Sequence, residues 1–244
     1  MAFDLKRSHA SMVLSRLTSS GTIVDTEGKL LCAVLEDGVE KVTIVAAPQG
    51  TEKVLGWSRL GDAIPNRTSA VEMITVPTAP AALEVDLRNT NLVVGRVRAV
   101  DQNGVVLGID PVYAGVPAAG TVKVDHPTGR MKYAAGQSGL AITVTYLYDL
   151  TLMQAQQKFG QRFINNWGLH AIFGQIEVAT GIGELFTDQY DPTQDYTSAA
   201  ALTLGANGII TKGGAGPALN ASVVSIPSEA NPMLGVRYTF FLAP

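Results

Sequence analysis

Three histidines, His9, His126 and His170, are the residues of this chain with the widest chemical range. A histidine ligates a metal ion or acts as a general base only when partner side chains are held at defined distances from its ring. The three lie in unrelated local sequences, and His126 precedes Pro127 in a predicted hairpin turn, where we expect exposure to solvent. The sequence therefore predicts no catalytic or metal-binding role for any of them.

Carboxylates are concentrated in one polar loop, residues 188–195, which contains Asp188, Asp191 and Asp195. Oxygen-rich loops of this kind can bind Ca²⁺. The spacing matches no EF-hand, however, and Pro192 interrupts it. Aspartate also starts turns by accepting hydrogen bonds from its own backbone. We favour the turn interpretation, and ion binding by this loop stays an open alternative.

Five glycines lie close together at Gly205, Gly208, Gly213, Gly214 and Gly216. A glycine-rich loop can bind phosphate, but a P-loop requires Gly-Lys followed by Ser or Thr at the start of a helix. Here Lys212 precedes three of the glycines, and no helical pattern comes after them. These glycines are therefore predicted to form the tips of hairpins.

The single cysteine, Cys32, lies within the apolar run of residues 30–35. One cysteine cannot form an internal disulfide or a zinc cluster. We interpret it as a small buried hydrophobic residue, because no histidine lies nearby in sequence to activate it as a nucleophile. The chain also lacks a legible Ser/His/Asp set, a carboxylate pair and a nucleotide-binding fingerprint. The sequence thus predicts neither an enzyme nor a cofactor.

Charge is scarce in this chain, at 16% of residues with a net charge of −3, whereas about 25% is typical of soluble domains. The surface is either neutral and polar or covered by other molecules, and we favour the second interpretation. No basic stripe exists, which argues against nucleic-acid binding. No apolar run approaches the ~20 residues that span a bilayer, and residues 1–20 lack the apolar stretch of a signal peptide. We expect no membrane contact and no export.

The elements that must position these residues are organised around residues 141–167. The segment begins with strict alternation, which predicts a strand with one buried face formed by Ile142, Val144, Tyr146 and Tyr148. It continues as the one convincing helical pattern of the chain, with apolar residues near a 3.6-residue spacing at Leu152, Met153, Phe159 and Phe163. Thr151 precedes this pattern and is the predicted N-cap of the helix.

Elsewhere the sequence reads as short strands separated by Gly, Pro, Asn-Gly and Asp-Gly turns, including a hairpin at Asp37-Gly38. We predict a mainly β protein with two β-rich parts, each a barrel or sandwich, joined by one short helix. The predicted division is an N-terminal arm (1–20), a β-rich domain (21–150), a linking helix (151–167) and a C-terminal β module (168–244). The first 20 residues fit an amphipathic helix, an extended arm or a partly disordered terminus.

Two passages resemble virion proteins of tailed bacteriophages. The first comprises TVKVDHPTGRMKY (residues 121–133) and GQSGLAITVTYLY (136–148), and it is similar to β-units that recur in such proteins. The second comprises GELFTDQYD (183–191), Asp195-Tyr196, LTL (202–204), GIIT (208–211) and LGVRY (234–238). Its order resembles the β-tulip-like modules of phage head-decoration, or cement, proteins. Together the passages cover roughly the C-terminal half.

The resemblance implies a capsid decoration protein on the surface of the virion, made in the host cytoplasm. Its expected partners are the major capsid protein and copies of itself, as a homotrimer or another small homo-oligomer, with residues 1–20 as a candidate contact segment. One alternative is a tail-tube or neck subunit. Another is a carbohydrate-binding β module, which predicts that Trp57, Trp167, Tyr190 and Tyr196 form one solvent-facing surface.

Overall fold

The computed structural model describes residues 3–8, 12–16, 28–58, 67–159, 175–196 and 201–240. It is mainly β, with 51% of residues in strands and 6% helical, and it contains a nearly closed barrel sheet and a curled half-barrel sheet. The predicted fold class is therefore confirmed. None of the helices in these ranges is long and apolar enough to cross a lipid bilayer.

The strands and the α-helix are short and follow one another closely along the chain. In order they are β1 (Phe3–Ser8), β2 (Met12–Arg16), β3 (Leu30–Glu36), β4 (Val39–Thr43), β5 (Lys53–Ser58), β6 (Arg67–Thr75), β7 (Glu84–Asp86), β8 (Leu92–Asp101), β9 (Val106–Asp110), β10 (Thr121–Asp125), β11 (Arg130–Tyr133), β12 (Ala141–Asp149), α1 (Leu152–Phe159), β13 (Gln175–Ala179), β14 (Gly181–Thr187), β15 (Leu202–Leu204), β16 (Ile210–Lys212), β17 (Ala221–Ser225) and β18 (Leu234–Phe240).

Strands β6 to β12 form a seven-stranded sheet in the order β6-β12-β8-β9-β10-β11-β7, which we call the barrel. Its neighbouring strands are antiparallel except for β9 and β10, which are parallel. The other strands form a four-stranded sheet (β1-β14-β18-β17), a five-stranded sheet (β2-β13-β5-β3-β4) and a two-stranded ribbon (β15-β16). The five-stranded sheet curls until its outer strands β2 and β4 approach each other, so it is nearly closed.

Strand β12 lies between β6 and β8 and supplies one side of the barrel interior. The side chains that alternate along it are almost fully buried, and they are Ile142, Val144, Tyr146 and Tyr148. A strand places alternate side chains on opposite faces, so the predicted period of two becomes one inward-facing row. The predicted strand and its alternating buried row are confirmed.

A buried carboxylate joins the two outer strands of the barrel. Glu72 on β6 pairs with the inward-facing Val144, so its side chain also faces the interior. It accepts hydrogen bonds of 3.0 and 3.1 Å from the backbone N–H of Arg88, just after β7, and a further bond from the hydroxyl of Tyr146. Asn89 Nδ2 in turn donates to the oxygen of Tyr146 at 2.8 Å. Burial, followed by the bond to Glu72, raises the pKa of Tyr146, which keeps its phenol protonated as a donor.

Most of the other described residues form one body from two distant segments, residues 28–58 and the described parts of 175–240, which we call the composite domain. Both segments contribute to the larger of its two buried clusters, and Trp57 of the first packs against Tyr238 and Phe240 of the second with ring centroids 5.9 and 5.8 Å apart. The predicted division into 21–150 and 168–244 differs from this arrangement. The barrel is inserted between the two halves of the composite domain, because β5 pairs with β13 and leaves β6 to start a separate sheet.

The predicted N-terminal arm contains two edge strands. Strand β1 pairs antiparallel with β14, and β2 pairs antiparallel with β13. Since β1 and β2 lie at the edges of different sheets, this segment completes both sheets of the composite domain. The sequence left open an amphipathic helix, an extended arm or a partly disordered terminus for this segment. In the structure the backbone of residues 3–8 and 12–16 is extended.

Helix α1 begins with a reciprocal capping arrangement. The hydroxyl of Thr151 accepts a 3.3 Å hydrogen bond from the N–H of Gln154, whose side chain accepts a 2.9 Å bond from the N–H of Thr151. The predicted N-cap is thus confirmed. Ala155 is buried, whereas Met153, predicted on the apolar stripe, is exposed. The predicted helix extended to residue 167, and residues 160–167 lie outside the described ranges.

Polar contacts connect the barrel to the composite domain along the first residues of β6. Thr68 donates from Oγ1 to Asp188 Oδ2 at 2.7 Å, and Ser69 donates from Oγ to the carbonyl of Pro232 at 2.9 Å. Two ion pairs flank these bonds, from Arg96 to Asp191 at 2.8 Å and from Arg88 to Glu229 at 2.5 Å. We call this set the polar seam.

We expect Tyr146→Phe to destabilise the barrel by roughly 1–3 kcal/mol, because it leaves the buried carboxylate of Glu72 without one donor. Urea denaturation of the purified protein measures this loss. Tyr133→Phe is the matched control, since among the described residues this buried hydroxyl donates to the weak acceptor Sδ of Met131, at 3.5 Å, and to no oxygen or nitrogen. Equal losses in the two variants would contradict a specific role for the Glu72 bond.

Candidate interaction surfaces

His126 is buried, with 7% of its surface exposed, so the expected exposure to solvent was wrong. The segment that leads into β8 covers the turn, since Leu92 N–H donates to the carbonyl of His126 at 2.8 Å and Asn91 N–H to that of Pro127 at 3.1 Å. Burial lowers the pKa of the imidazole, against a smaller opposing effect of a hydrogen bond to the Val124 backbone. His9 and His170 lie outside the described residues.

The carboxylates of the polar loop are bound to their own surroundings. Asp191 accepts bonds of 3.0 and 2.7 Å from the N–H and hydroxyl of Thr193, which is the geometry of a side-chain-capped turn. Asp188 accepts a 2.6 Å bond from Gln189 in addition to the bond from Thr68. These bonds support the turn interpretation. Within the described ranges, no group of three or more His, Cys, Asp or Glu side chains could hold a metal ion.

The glycine cluster surrounds the ribbon of β15 and β16 and allows close backbone approach. Gly208 has φ +75°, and a Cβ there would lie 2.8 Å from the carbonyl oxygen of Leu30. A Cβ on Gly216 would lie 2.0 Å from the carbonyl oxygen of Leu204. These positions therefore require glycine for a turn and for packing of the ribbon against neighbouring backbone.

Three of the four aromatic residues that would form a carbohydrate-binding surface are buried. Trp57 and Tyr190 are 0% exposed and Tyr196 is 5% exposed. The hydroxyls of Tyr190 and Tyr196 donate to the carbonyls of Pro232 and Ile210 at 2.8 and 3.1 Å. Trp167 lies outside the described residues. The solvent-facing surface that this alternative predicts is not formed by these three rings.

The hairpin of β3 and β4 displays apolar side chains beside its turn. The predicted Asp37-Gly38 turn has φ values of +55° and +74°, which match a type I′ hairpin turn. Lys41 and Glu36 form an ion pair across the strands at 2.9 Å. Beside the turn, Leu35 is 75% exposed, and Val34 and Val39 are 38% and 41% exposed. We call residues 34–39 the β3–β4 tip.

A second exposed segment, residues 111–120, connects the parallel strands β9 and β10, and we call it the crossover loop. Its first residues are anchored by Lys123, whose Nζ donates to Asp110 Oδ2 at 2.6 Å and to the carbonyl of Val112 at 2.9 Å. Its end is anchored by Thr121, whose N–H and hydroxyl donate to the carbonyl of Ala118 at 3.0 and 2.9 Å. The loop is therefore held at both ends.

The crossover loop lies on the outer surface of the barrel. Lys123 alternates with the inward-facing Val122 and Val124, so it faces outward, yet it is only 7% exposed because the loop covers it. The ring of Tyr113 lies 6.0 Å from Nζ of Lys132 on β11. The loop thus extends over β10 and β11.

The crossover loop has the sequence PVYAGVPAAG, which contains no charged residue. Val112 is 61% exposed and Val116 is 83% exposed. An exposed pair of valines on an anchored, uncharged loop resembles the apolar centre of an interaction surface more closely than an ordinary solvated turn.

Clefts lie between the barrel and the composite domain, and two of them are lined by described residues. One of about 210 Å³ lies beside the polar seam and is lined by Lys29, Arg67, Arg96 and Asp188 among others. Arg67 and Arg96 pair with Asp149 and Asp191, so charges in and around this cleft are largely compensated. The other, of about 410 Å³, is lined by residues of both bodies, and we call it the groove.

No protein-family model matches this chain, and the searches of curated proteins and of solved structures give no match.

The sequence interpretation did not single out the β3–β4 tip or the crossover loop as functional. Each carried a recognisable signal. For the β3–β4 tip, the signal is the apolar run of residues 30–35, which ends next to the Asp37-Gly38 turn, so that its last residues lie outside the core. For the crossover loop, the signal is the absence of charge over ten consecutive residues. Exposure decides which apolar residues are functional candidates, and exposure depends on long-range packing.

Cys32 is 1% exposed in the core of the composite domain, and burial, followed by the nearby Glu52, raises its pKa to about 12. We expect the native thiol to be unreactive toward a disulfide reagent at pH 8, because the thiolate is the reactive form. One thiol should react after unfolding in guanidinium chloride. Rapid labelling of the native protein would show that this thiol is accessible.

We expect His126 to make the protein less stable in mild acid. Burial lowers the pKa of the folded imidazole, so the unfolded chain, with a histidine pKa near 6.5, binds the proton more tightly. The free energy of unfolding should therefore decrease as the pH falls through about 6.5. Urea denaturation at pH 7.5 and 5 measures the decrease. His126→Gln should show a smaller pH dependence, and an unchanged one would assign the effect to other groups.

Proposed function

We propose that this protein is a decoration, or cement, protein of a tailed-phage capsid, located on the surface of the virion. In this role it binds the outer face of the head shell, contacts the major capsid protein and stabilises the contacts between capsomers. The resemblance of residues 121–148 and 183–238 to phage virion proteins supports the class of function. The β3–β4 tip is the observation that carries the proposal.

The β3–β4 tip has the properties that a shell contact requires. Its type I′ turn and the pair between Lys41 and Glu36 fix its backbone, so little conformational entropy is lost when it docks. Leu35 is 75% exposed, and burying a leucine side chain contributes about 1.5–3 kcal/mol. A decoration protein uses many identical copies, so a modest contact in each copy is enough to stabilise the whole shell.

Stabilisation of the shell follows from mass action. A protein that binds the assembled shell, and binds its dissociated subunits less well, shifts the equilibrium toward the assembled state. No chemical step is needed for this role. The low charge of the chain, 16% of residues, favours surfaces that are buried against neighbours.

Residues 1–20, the contact segment expected from the sequence, are less suitable for a direct test. Strands β1 and β2 cover the edges of β14 and β13. Their removal would expose two sheet edges, and exposed edges promote aggregation. A point substitution in the β3–β4 tip leaves the sheets intact.

We expect Leu35→Asp to weaken binding to heads assembled without this protein by about tenfold or more, because the contact would bury an unpaired charge. Co-sedimentation of the protein with these heads gives the affinity, and the temperature at which heads release DNA gives the stabilisation. Val94→Asp is the matched control, since Val94 is 67% exposed on the barrel, away from the tip.

Three outcomes separate the possibilities. Loss of head binding in Leu35→Asp but not in Val94→Asp supports the proposal and places the contact at the tip. Wild-type protein that does not bind heads refutes the decoration role. Assembly of the pure protein into open-ended tubes would instead favour the tail-tube alternative, because tube subunits stack on one another through heterologous contacts.

A further inference from the structure

The groove has a mixed lining, with polar and apolar side chains in one recess. Its volume of about 410 Å³ lies in the range of roughly 300–1,000 Å³ that is typical of small-molecule sites. Ile226 and Pro227 are among its apolar residues. The barrel and the polar loop contribute the uncharged polar and basic side chains of Thr143, Thr145, Gln194 and Arg98. A ligand that fits this lining therefore has both polar groups and an apolar surface.

Arg98 differs from the other arginines whose side chains the structure describes. Each of those forms an ion pair with a carboxylate, and the pairs are Arg67–Asp149, Arg88–Glu229, Arg96–Asp191, Arg130–Asp86 and Arg237–Glu184. Arg98 is half-buried in the groove, yet its guanidinium has neither an ion pair nor a hydrogen bond within the described part of the chain. A guanidinium presents a planar fork of N–H donors that matches a carboxylate. Arg98 is thus positioned to receive a carboxylate from another molecule.

Asp195 also lines the groove, but it does not supply that carboxylate. It is exposed, and no ion pair joins it to Arg98. The ammonium of Lys212 lies 2.8 Å from its backbone carbonyl oxygen, so a cation already accompanies Asp195. Asp195 repels an anion in the groove in proportion to the charge of that anion. The groove therefore favours a carboxylate, with one negative charge, over a phosphate group with nearly two.

Hydroxyl and amide groups lie beside the guanidinium. Thr145 on β12 pairs directly with Arg98 on β8, and Thr143 lies two positions earlier on the same outward face. Neither threonine hydroxyl forms a hydrogen bond to a described residue. The side-chain amide of Gln194 makes one long contact, at 3.5 Å. These groups can bond the hydroxyls of a ligand whose carboxylate is bound to Arg98.

The remaining lining favours a ring with an apolar face. Tyr190 and Tyr196 already donate from their hydroxyls to backbone carbonyls, so they offer no further donor to a ligand. Ile226 is 47% exposed and presents apolar surface. The ring of a sugar acid has a C–H face for such a surface and hydroxyls for the threonines and Gln194. An entirely apolar acid would displace water from these polar groups without replacing its hydrogen bonds, which costs affinity.

Both sides of the groove are held in place by the fold. Arg98 and Thr145 lie on the paired strands β8 and β12. The polar loop is attached to the same strand by the ion pair of Arg96 with Asp191, at 2.8 Å, and the side chain of Asp191 also caps the turn at Thr193. Arg96 precedes Arg98 by two positions, so this ion pair keeps the loop beside the unpaired guanidinium. A site that is already ordered loses less entropy on binding.

We propose that the groove binds a small hydroxylated organic acid of the sugar-acid class. Its carboxylate pairs with Arg98, and its hydroxyls bond to Thr145 and Gln194. The inference goes beyond the decoration role and does not depend on it, because the groove contains no residue of the β3–β4 tip.

Three kinds of probe test the chemistry of the ligand on the purified full-length chain. D-Glucuronate or its epimer D-galacturonate should bind with a dissociation constant of about 1 mM or lower in a ligand-observed NMR titration. D-Glucose, which lacks the carboxylate, and inorganic phosphate, which carries more charge, should each bind about tenfold more weakly or worse. A chain that binds neither sugar acid, or that binds glucose or phosphate equally well, refutes the proposal.

Substitutions locate the site. Arg98→Gln should weaken binding of the sugar acid by about tenfold or more, because a charge-assisted pair is lost. Arg130→Gln is the matched control, since Arg130 pairs with Asp86 and does not line the groove. Thr145→Val should weaken the sugar acid by about two- to tenfold but should not weaken cyclohexanecarboxylate, which has no hydroxyls. Circular dichroism checks that each variant is folded.

Equal binding by Arg98→Gln and the wild-type chain, or an equal loss in Arg130→Gln, would overturn the proposal. Arg98→Lys keeps the charge but not the planar fork, so it should bind the sugar acid more tightly than Arg98→Gln and less tightly than the wild-type chain. Head binding by Arg98→Gln is scored separately and should equal that of the wild-type chain. A groove without a ligand and a failed decoration role therefore give different results.

Discussion

The architecture depends on the packing of Trp57 against Tyr238 and Phe240, which joins the first and last parts of the described chain. Trp57 is 0% exposed, and its ring makes edge-on and tilted contacts with the two aromatic rings. Aromatic pairs of this kind contribute about 0.5–1.5 kcal/mol beyond the area that they bury. The barrel strands β6 to β12 lie between Trp57 and its two aromatic partners in the sequence. The composite domain is therefore complete only when the first and last strands of this inserted segment lie close together. The position of β6 beside the polar loop follows from this constraint.

The polar seam fixes the orientation of the two bodies more than it contributes to their stability. The ion pair between Arg88 and Glu229 is largely exposed, and exposed pairs contribute about 0–1 kcal/mol. The bond from Thr68 to Asp188 is buried, so its loss would leave a carboxylate short of a donor. Directional bonds of this kind specify one relative position, and that position creates the groove. The groove is therefore a consequence of how the seam sets the two bodies.

Local features of this fold were predictable from the sequence, whereas long-range pairings were not. The alternation along β12, the Asp37-Gly38 turn and the Thr151 cap depend on residues within a few positions of one another. The pairing of β5 with β13 spans more than a hundred residues, and no local pattern encodes it. His126 is buried by a segment some thirty positions earlier, and Glu72 faces inward because Arg88 and Tyr146 supply its donors. The exposed apolar tip and loop are visible only once such pairings define the core.

The scarcity of charge becomes informative when the partners of the charged residues are considered. Many of the described charges are paired within the molecule, and these pairs include Lys41–Glu36, Lys53–Glu40, Arg67–Asp149, Lys123–Asp110, Arg130–Asp86, Lys132–Glu84 and Arg237–Glu184. Internal pairing reduces the long-range repulsion between copies that a net charge produces, and the net charge is only −3. Copies of this chain can thus approach one another closely. An uncharged exposed surface such as the crossover loop favours contacts that depend little on salt, because the attraction comes from apolar burial and not from opposite charges.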